Sequence, residues 1–376
     1  MSVPRLFPLI EISGAPRERG RQYGEQATGR IRDSVAVYGD QLAELGLRSE
    51  ERRHLIDAFA VEIEQFDADY LEEMRGIAEG AGVELGDIVM INARTEVISR
   101  ARRIAKRQAD SDASLEDGCT GAVILPERSA TGQLIHGQNW DWRAECADTS
   151  VVLRVERDEG PELLTFVEAG GLARSGLNSA GLAITANFLG CERDYRQNGV
   201  PLSLIRRKAL EQSHMALAMK VVATTPKSGS NNMMLSTAEG FAIDFECAPD
   251  ESFTLYPRNG MIVHANHWLS EVALGKLREC GVATSPDTLY RAWRVQQQLD
   301  TCGERVSVDD LKAALFDDFG SPYSVCRPPR PGFQGDLSAT VAMVVMEPAR
   351  GTLEVAPLPA INREFGHYRL KQPIGA

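Results

Sequence analysis

The feature that most constrains this chain is a change of hydrophobic pattern near residue 118. Before it, apolar residues recur at helical spacing, as in Ile31, Val35, Tyr38 and Leu42, and a second helical pattern covers about 50–80 before Gly80-Ala81-Gly82. A short alternation around Leu6, Pro8, Ile10 and Ile12 opens the chain as a strand, which Gly14-Ala15-Pro16 breaks. The apolar run Ile88–Ile91 fits helix or strand. After Gly118, short apolar runs come in pairs around turn-forming loops. The loops are Pro126–Gly132, Arg157–Pro161, Thr237–Gly240 and Pro348–Gly351, and each pair reads as a hairpin. Leu182–Ala186 and Met261–Ala265 add strands, Pro201 opens a helix and Ser307 reads as a helix N-cap. Helices first and antiparallel strands afterwards, without βαβ alternation, predict an α+β protein.

Residues 99–117 run from basic (Arg100 to Arg107) to acidic (Asp110 to Asp117), which predicts an exposed linker. The net charge of −12 argues against a nucleic-acid partner, which would require basic patches. The sequence offers neither a membrane span nor a signal peptide, so a cytoplasmic protein is expected. Seven cysteines, an odd number at irregular spacing and without Cys-x-x-Cys, predict free thiols rather than a disulfide framework or a zinc site.

Among those thiols Cys119 stands out by context. In Asp117-Gly118-Cys119-Thr120 it lies between a polar linker and a strand. A thiol there could attack the carbonyl of Gly118, which has no side chain to block the approach. Hydrolysis of the resulting thioester frees an α-amine with a reference pKa of about 7.7–8.0, a base for the adjacent thiol near neutral pH. On spacing alone a buried structural cysteine is the commoner case.

Other segments supply partners. Asp141, between Trp140 and Trp142, could orient such an amine, or serve as a turn residue. Asn266, in His264-Ala265-Asn266-His267, could donate to an oxyanion, or be a turn asparagine. The two histidines are a poor zinc pair, because i and i+3 on a strand face opposite ways. Arg327 could pair with Asp141 or favour a thiolate, or form a surface salt bridge. Cys326 beside it reads as packing. Asp318-Phe319-Gly320 spells a kinase triplet without the rest of the kinase signature.

Taken together in order, these segments resemble the acyl-coenzyme A:6-aminopenicillanic-acid acyltransferase (isopenicillin N acyltransferase-like) family of autoproteolytic N-terminal-nucleophile cysteine enzymes. The resemblance runs over nearly the whole chain. It includes Gly14-x-Pro16-x-Glu18-x-Gly20-x-Gln22-x-Gly24, Glu72-Glu73-Met74-Arg75-Gly76, Ile88 to Glu96, Asp117 to Thr120 and Gly137 to Asp141. It continues through Glu168-Ala169-Gly170, Gly176 to Gly181, Gly199-Val200-Pro201, His264 to His267 and Ser324 to Arg327.

The resemblance implies a four-layer αββα sandwich and self-cleavage between Gly118 and Cys119. Residues 1–118 would then form a retained helical segment and 119–376 the segment bearing the nucleophile, together one structural domain. Carried over by motif, Cys119 is the nucleophile, Asp141 holds the α-amine, Asn266 supports the oxyanion and Arg327 completes the charge network. The implied substrate is a small acylated amine, opened through an acyl-enzyme without metal or cofactor; the alternative is acyl transfer from coenzyme A or an amide to an amine. Trp268 and Pro328-Pro329 depart from the penicillin enzyme's pattern, which turns expectation away from penicillin but not from the chemistry. A catalytically silent binding relative and a papain-like protease with a His-activated thiol are the rivals.

Overall fold

A computed structural model describes residues 5–106, 118–331 and 337–372. Among these residues there are two large sheets, each covered on its outer face by helices. The first runs from Leu9–Ser13, parallel to Ser150–Glu156, through Leu163–Glu168, Ser175–Asn178, Leu182–Phe188, Asn231–Thr237 and Ala242–Cys247 to Ser252–Leu255. The second runs Met261–His264, Gly118–Ile124, Ile135–Arg143, Leu337–Glu347, Thr352–Pro357, Gly366–Arg369, with Arg330–Pro331 paired to its long strand. Helices Leu202–Leu210 and Met215–Thr224 lie on the first sheet, and Thr288–Thr301 and Val308–Leu315 on the second. The protein is therefore α+β with αββα layering.

All four hairpins read from alternation are present. The facing sheets meet through polar as well as apolar groups. His136 bridges to Ser236 Oγ at 2.9 Å and Thr185 Oγ1 at 2.8 Å, and burial pulls its pKa down to about 3, so the ring stays neutral. Gln138 donates across to the carbonyl of Ala186 at 2.6 Å.

In the first third, helices Pro16–Gln26 and Ala68–Ala81 cross at very short range, which explains four glycines. A Cβ on Gly20, Gly24, Gly76 or Gly80 would stand 2.0, 2.4, 2.1 or 2.3 Å from a backbone carbonyl oxygen of the other helix. Helices Thr28–Glu44 and Ser49–Phe66 bury Ile31, Phe59 and Ile63, and one core cluster takes in residues from both sides of Gly118.

Some expectations need correction. The opening strand is Leu9–Ser13, and helix begins at Pro16, well before Ile31. Ile88–Ile91 is helical, within Leu85–Asn92. The expected linker at 99–117 is wrong in its first part: Arg94–Lys106 is a helix whose Val97, Ile98 and Ala101 are fully buried. Its basic residues suggested a solvated run, but the buried points recur at helical spacing between them. Residues 107–117, Asp117 included, and both chain ends lie outside the described residues. Among the described residues no helix is long and apolar enough to cross a membrane. Among the described residues the seven cysteines form no disulfide.

Candidate active site

Four segments of the chain bring the four sequence-predicted residues together, Asp141 lying on the strand Ile135–Arg143. Gly118 and Cys119 begin the strand Gly118–Ile124 and pair with Asp141 and Trp140. Asn266 follows the end of strand Met261–His264, and Arg327 precedes the long strand Leu337–Glu347. Cys119, Asp141, Asn266 and Arg327 are all buried, none more than 3% exposed.

The register opposite Asp141 slips by one residue between Thr340 and Ala342, a bulge of the kind that re-aims a side chain. Thr340 Oγ1 donates to Asp141 Oδ1 at 2.6 Å and accepts from the Arg327 amide at 2.8 Å. Arg327 Nε lies 3.3 Å from Asp141 Oδ2, and the Arg327 guanidinium also reaches the Asp287 carboxylate. Asp287, at the N-terminus of helix Thr288–Thr301, accepts from Arg291 Nε, one turn on, at 2.7 Å. Burial pushes the Asp287 carboxyl up, but Arg291 and Arg327 outweigh it and hold it below its ordinary range.

Arg291 closes the circuit on Cys119. Its Nη1 donates to the Cys119 carbonyl at 2.7 Å and Thr120 Oγ1 at 2.8 Å, and its Nη2 to Asn266 Oδ1 at 2.8 Å. A guanidinium only donates, so the Asn266 oxygen must face it. The same oxygen accepts the backbone N–H of Cys119 at 2.8 Å. Asn266 Nδ2 donates to the Phe188 carbonyl at 2.9 Å.

In the continuous chain the Cys119 nitrogen is an amide, and Asn266 Oδ1 accepts its N–H. Asp141 and Arg327 press on Gly118: a Cβ there would lie 2.7 Å from Asp141 Oδ2 and 2.8 Å from Arg327 Nη1, so only glycine fits without displacing the pair. The histidines differ from expectation. The strand ends at His264, so strand alternation does not reach His267, and the two rings stack with centroids 6.4 Å apart. His264 Nε2 bonds Glu246 Oε1 at 2.8 Å. Asn139, near Asp141 in sequence, spends both amide hydrogens on the carbonyls of Leu315 and Val325. Burial raises the pKa of the Cys326 thiol.

Cys119 also lines a pocket that reaches Phe188, Asn231 and the guanidiniums of Arg94, Arg174 and Arg206. Asp287, Arg291, Thr340 and the pocket arginines were missed in the sequence. Asp287 and Arg291 show the i, i+4 spacing of a helix pair, but nothing local indicates that their other partners are Arg327, Asn266 and Cys119.

Residues 128–356, more than half of the chain, match the family model described as acyl-coenzyme A:6-aminopenicillanic acid acyl-transferase. The chain belongs to this family. It is 28% identical over 334 residues to the acyl-coenzyme A:6-aminopenicillanic-acid-acyltransferase 40 kDa form of Emericella nidulans, covering 85% of this chain and 84% of that protein. Among solved structures it is similar to a conjugated bile acid hydrolase mutant from Clostridium perfringens, with TM-score 0.48 and 11% identity over 67% of this chain and 92% of that one. It is also similar to a Caenorhabditis elegans N-acylethanolamine-hydrolyzing acid amidase ortholog, with TM-score 0.43 and 15% identity over 61% of this chain and 93% of that one. The family match makes the protein an enzyme of an acyltransferase family.

Proposed function

We propose that this member of the family cuts itself between Gly118 and Cys119 and then uses Cys119 as an N-terminal nucleophile against the amide of a small acylated amine. The observation that carries this reading is the setting of the Gly118–Cys119 bond. Glycine is wedged against the Asp141–Arg327 pair, the Cys119 nitrogen is held by Asn266, and Cys119 lines a pocket.

In the first stage the thiol adds to the Gly118 carbonyl, the C–N bond breaks as nitrogen takes a proton, and water hydrolyses the thioester. Residues 1–118 and 119–376 then remain associated through their common core. Departure of Gly118 frees the space against Asp141, so the new ammonium or amine can reach its carboxylate while Asn266 Oδ1 remains an acceptor. In the second stage the amine takes the thiol proton, the thiolate adds to the substrate carbonyl, and the substrate's amine leaves with a proton. Asn266 Nδ2 carries two hydrogens, one of them on Phe188, and the other is the proposed oxyanion donor. Arg291 and Asp287 act as positioning residues, fixing Asn266 and Arg327.

The second reading, transfer of the acyl group to an amine, is favoured by the likeness to the Emericella acyltransferase. Both readings share the acyl-enzyme. Incubation with an acylated amine and rapid acid quench should add the acyl mass to the peptide beginning with Cys119. A second amine added in excess should then appear acylated if transfer competes with water. Turnover without an acyl group on Cys119, and undiminished in Cys119→Ala, would rule out both.

A further inference from the structure

Three guanidiniums line the pocket beside Cys119, and they are not equivalent. Arg94 Nε donates to Glu168 Oε2 at 3.1 Å, and Arg174 Nη2 lies 3.7 Å from the same oxygen. Both are also stacked, Arg94 4.4 Å from the Trp142 ring centre and Arg174 3.7 Å from that of Trp140. Arg206 forms no ion pair or hydrogen bond among the described residues, and its Nε is shielded from solvent without a partner. Glu96, the other carboxylate in the pocket wall, turns Oε1 to the Leu202 amide at 2.8 Å.

A second group points the same way. Asn231 is 2% exposed and lines the same pocket, yet neither its side-chain oxygen nor its side-chain nitrogen has a hydrogen-bond partner among the described residues. Buried polar groups left without partners are costly and uncommon, so the unpaired Arg206 Nε and Asn231 Nδ2 on one pocket wall call for an acceptor. Burial, with Arg174 and Arg94 nearby, pulls Arg206 down to about 9, so it is still cationic at neutral pH. Burial also pushes Glu168 up to about 7 and raises Glu96, which weakens the pocket's own negative charge.

We infer that the substrate carries a carboxylate, held in this pocket by the Arg206 guanidinium and the Asn231 amide while its scissile carbonyl meets Cys119. The inference rests on the proposed role of Cys119 and narrows the acylated amine to an anionic one. The carboxylate can sit at the far end of the acyl chain, as in the mono-amide of a dicarboxylic acid, or on the amine, as in an N-acyl amino acid.

Two matched probe pairs separate these sources: glutaryl against butyryl 4-nitroanilide, and N-butyrylglycine against N-butyrylglycinamide. In one pair the carboxylated member should have the higher kcat/KM by about 10–100-fold, the range for charge-assisted hydrogen bonds. Arg206→Gln should erase most of that ratio, and Arg206→Lys should restore part of it, since a point charge replaces the charge but not the planar fork. Asn231→Ala should lower the ratio by about 3–10-fold. Preference for the glutaryl anilide places the carboxylate on the acyl chain, and preference for N-butyrylglycine places it on the amine. Ratios near one in the wild type, or unchanged by Arg206→Gln, overturn the inference. If wild type turns over no probe, the nucleophile reading fails, and calorimetric binding of the same pairs decides the carboxylate site. Tighter binding of a carboxylated probe, lost in Arg206→Gln, then upholds it, and equal binding refutes it.

Discussion

Two sets of buried charges in this enzyme use the same ingredients and end differently. In one, Arg19 and Arg207 share Glu73, at 2.6 and 3.1 Å, and Arg207 continues to Glu211 at 2.8 Å, which also accepts from Tyr70. In the other, Arg94 and Arg174 share Glu168, but Arg206 forms no ion pair among the described residues. The carboxylates register the difference. Burial raises Glu211, but Arg207 and Arg157 outweigh it and its pKa falls; burial of Glu168 wins over Arg174 and Arg206 and its pKa rises to about 7. The closed set ties helices of the first third to the helix Leu202–Leu210 and serves the fold. The open set faces the pocket beside Cys119 and serves a ligand.

The largest effect expected from breaking this contrast is in the closed set. Glu73→Ala leaves Arg19 and Arg207 without their shared carboxylate, and stability measured by urea unfolding should fall by about 3–5 kcal/mol. A loss under about 1 kcal/mol would show that the set is not structural.

The Cys119 network comes next, since it is closed like the first set yet sits at the site. Asn266→Ala removes both the acceptor for the Cys119 amide and the proposed oxyanion donor. Processing should slow, and turnover of whatever is processed should drop by about 10²–10³. Asn266→Asp keeps an oxygen for Cys119 and Arg291, so processing should recover while turnover stays low. Equal recovery of both would mean that the Asn266 amide hydrogens play no part in turnover.

A smaller effect, confined to a pH window, belongs to Glu168. Its folded pKa, about 7, lies above the ordinary 4.5, so its contribution to stability is complete below about 4.5 and is lost as pH rises through about 7. Urea midpoints from pH 5 to 8 should therefore fall less in Glu168→Gln than in wild type. His264, at about 8, and Asp244, at about 7, titrate in the same window but are common to both proteins and cancel in the difference. Parallel curves would contradict the assigned shift.

The smallest effect is in the open set. Arg206→Gln removes a charge that forms no ion pair among the described residues, so stability should change by no more than about 1 kcal/mol. A loss matching that of Glu73→Ala would make Arg206 structural.

Much of the fold could be read from the sequence because strand alternation and turn residues are local signals. The hairpin from Gly118 to Arg143 and that around Pro348–Gly351 needed nothing else. The helix Arg94–Lys106 was harder, since its charges masked Val97, Ile98 and Ala101. The glycines at 20, 24, 76 and 80 marked a pattern, but their reason lies in a helix crossing between residues about 55 apart in sequence. At the site, Cys119, Asp141, Asn266 and Arg327 were named from their motifs. Arg291 and Arg206 were not, because each looks like an ordinary charge on a helix and acquires its meaning from distant partners or from the lack of one.

The central claim is most directly tested by intact-mass measurement and N-terminal sequencing of the purified, active protein. Two associated species are predicted, residues 1–118 and residues 119–376, the second beginning with a free Cys119, and Cys119→Ala should remain a single chain. An active enzyme that stays uncut, or whose mature segment begins at any other residue, would contradict it.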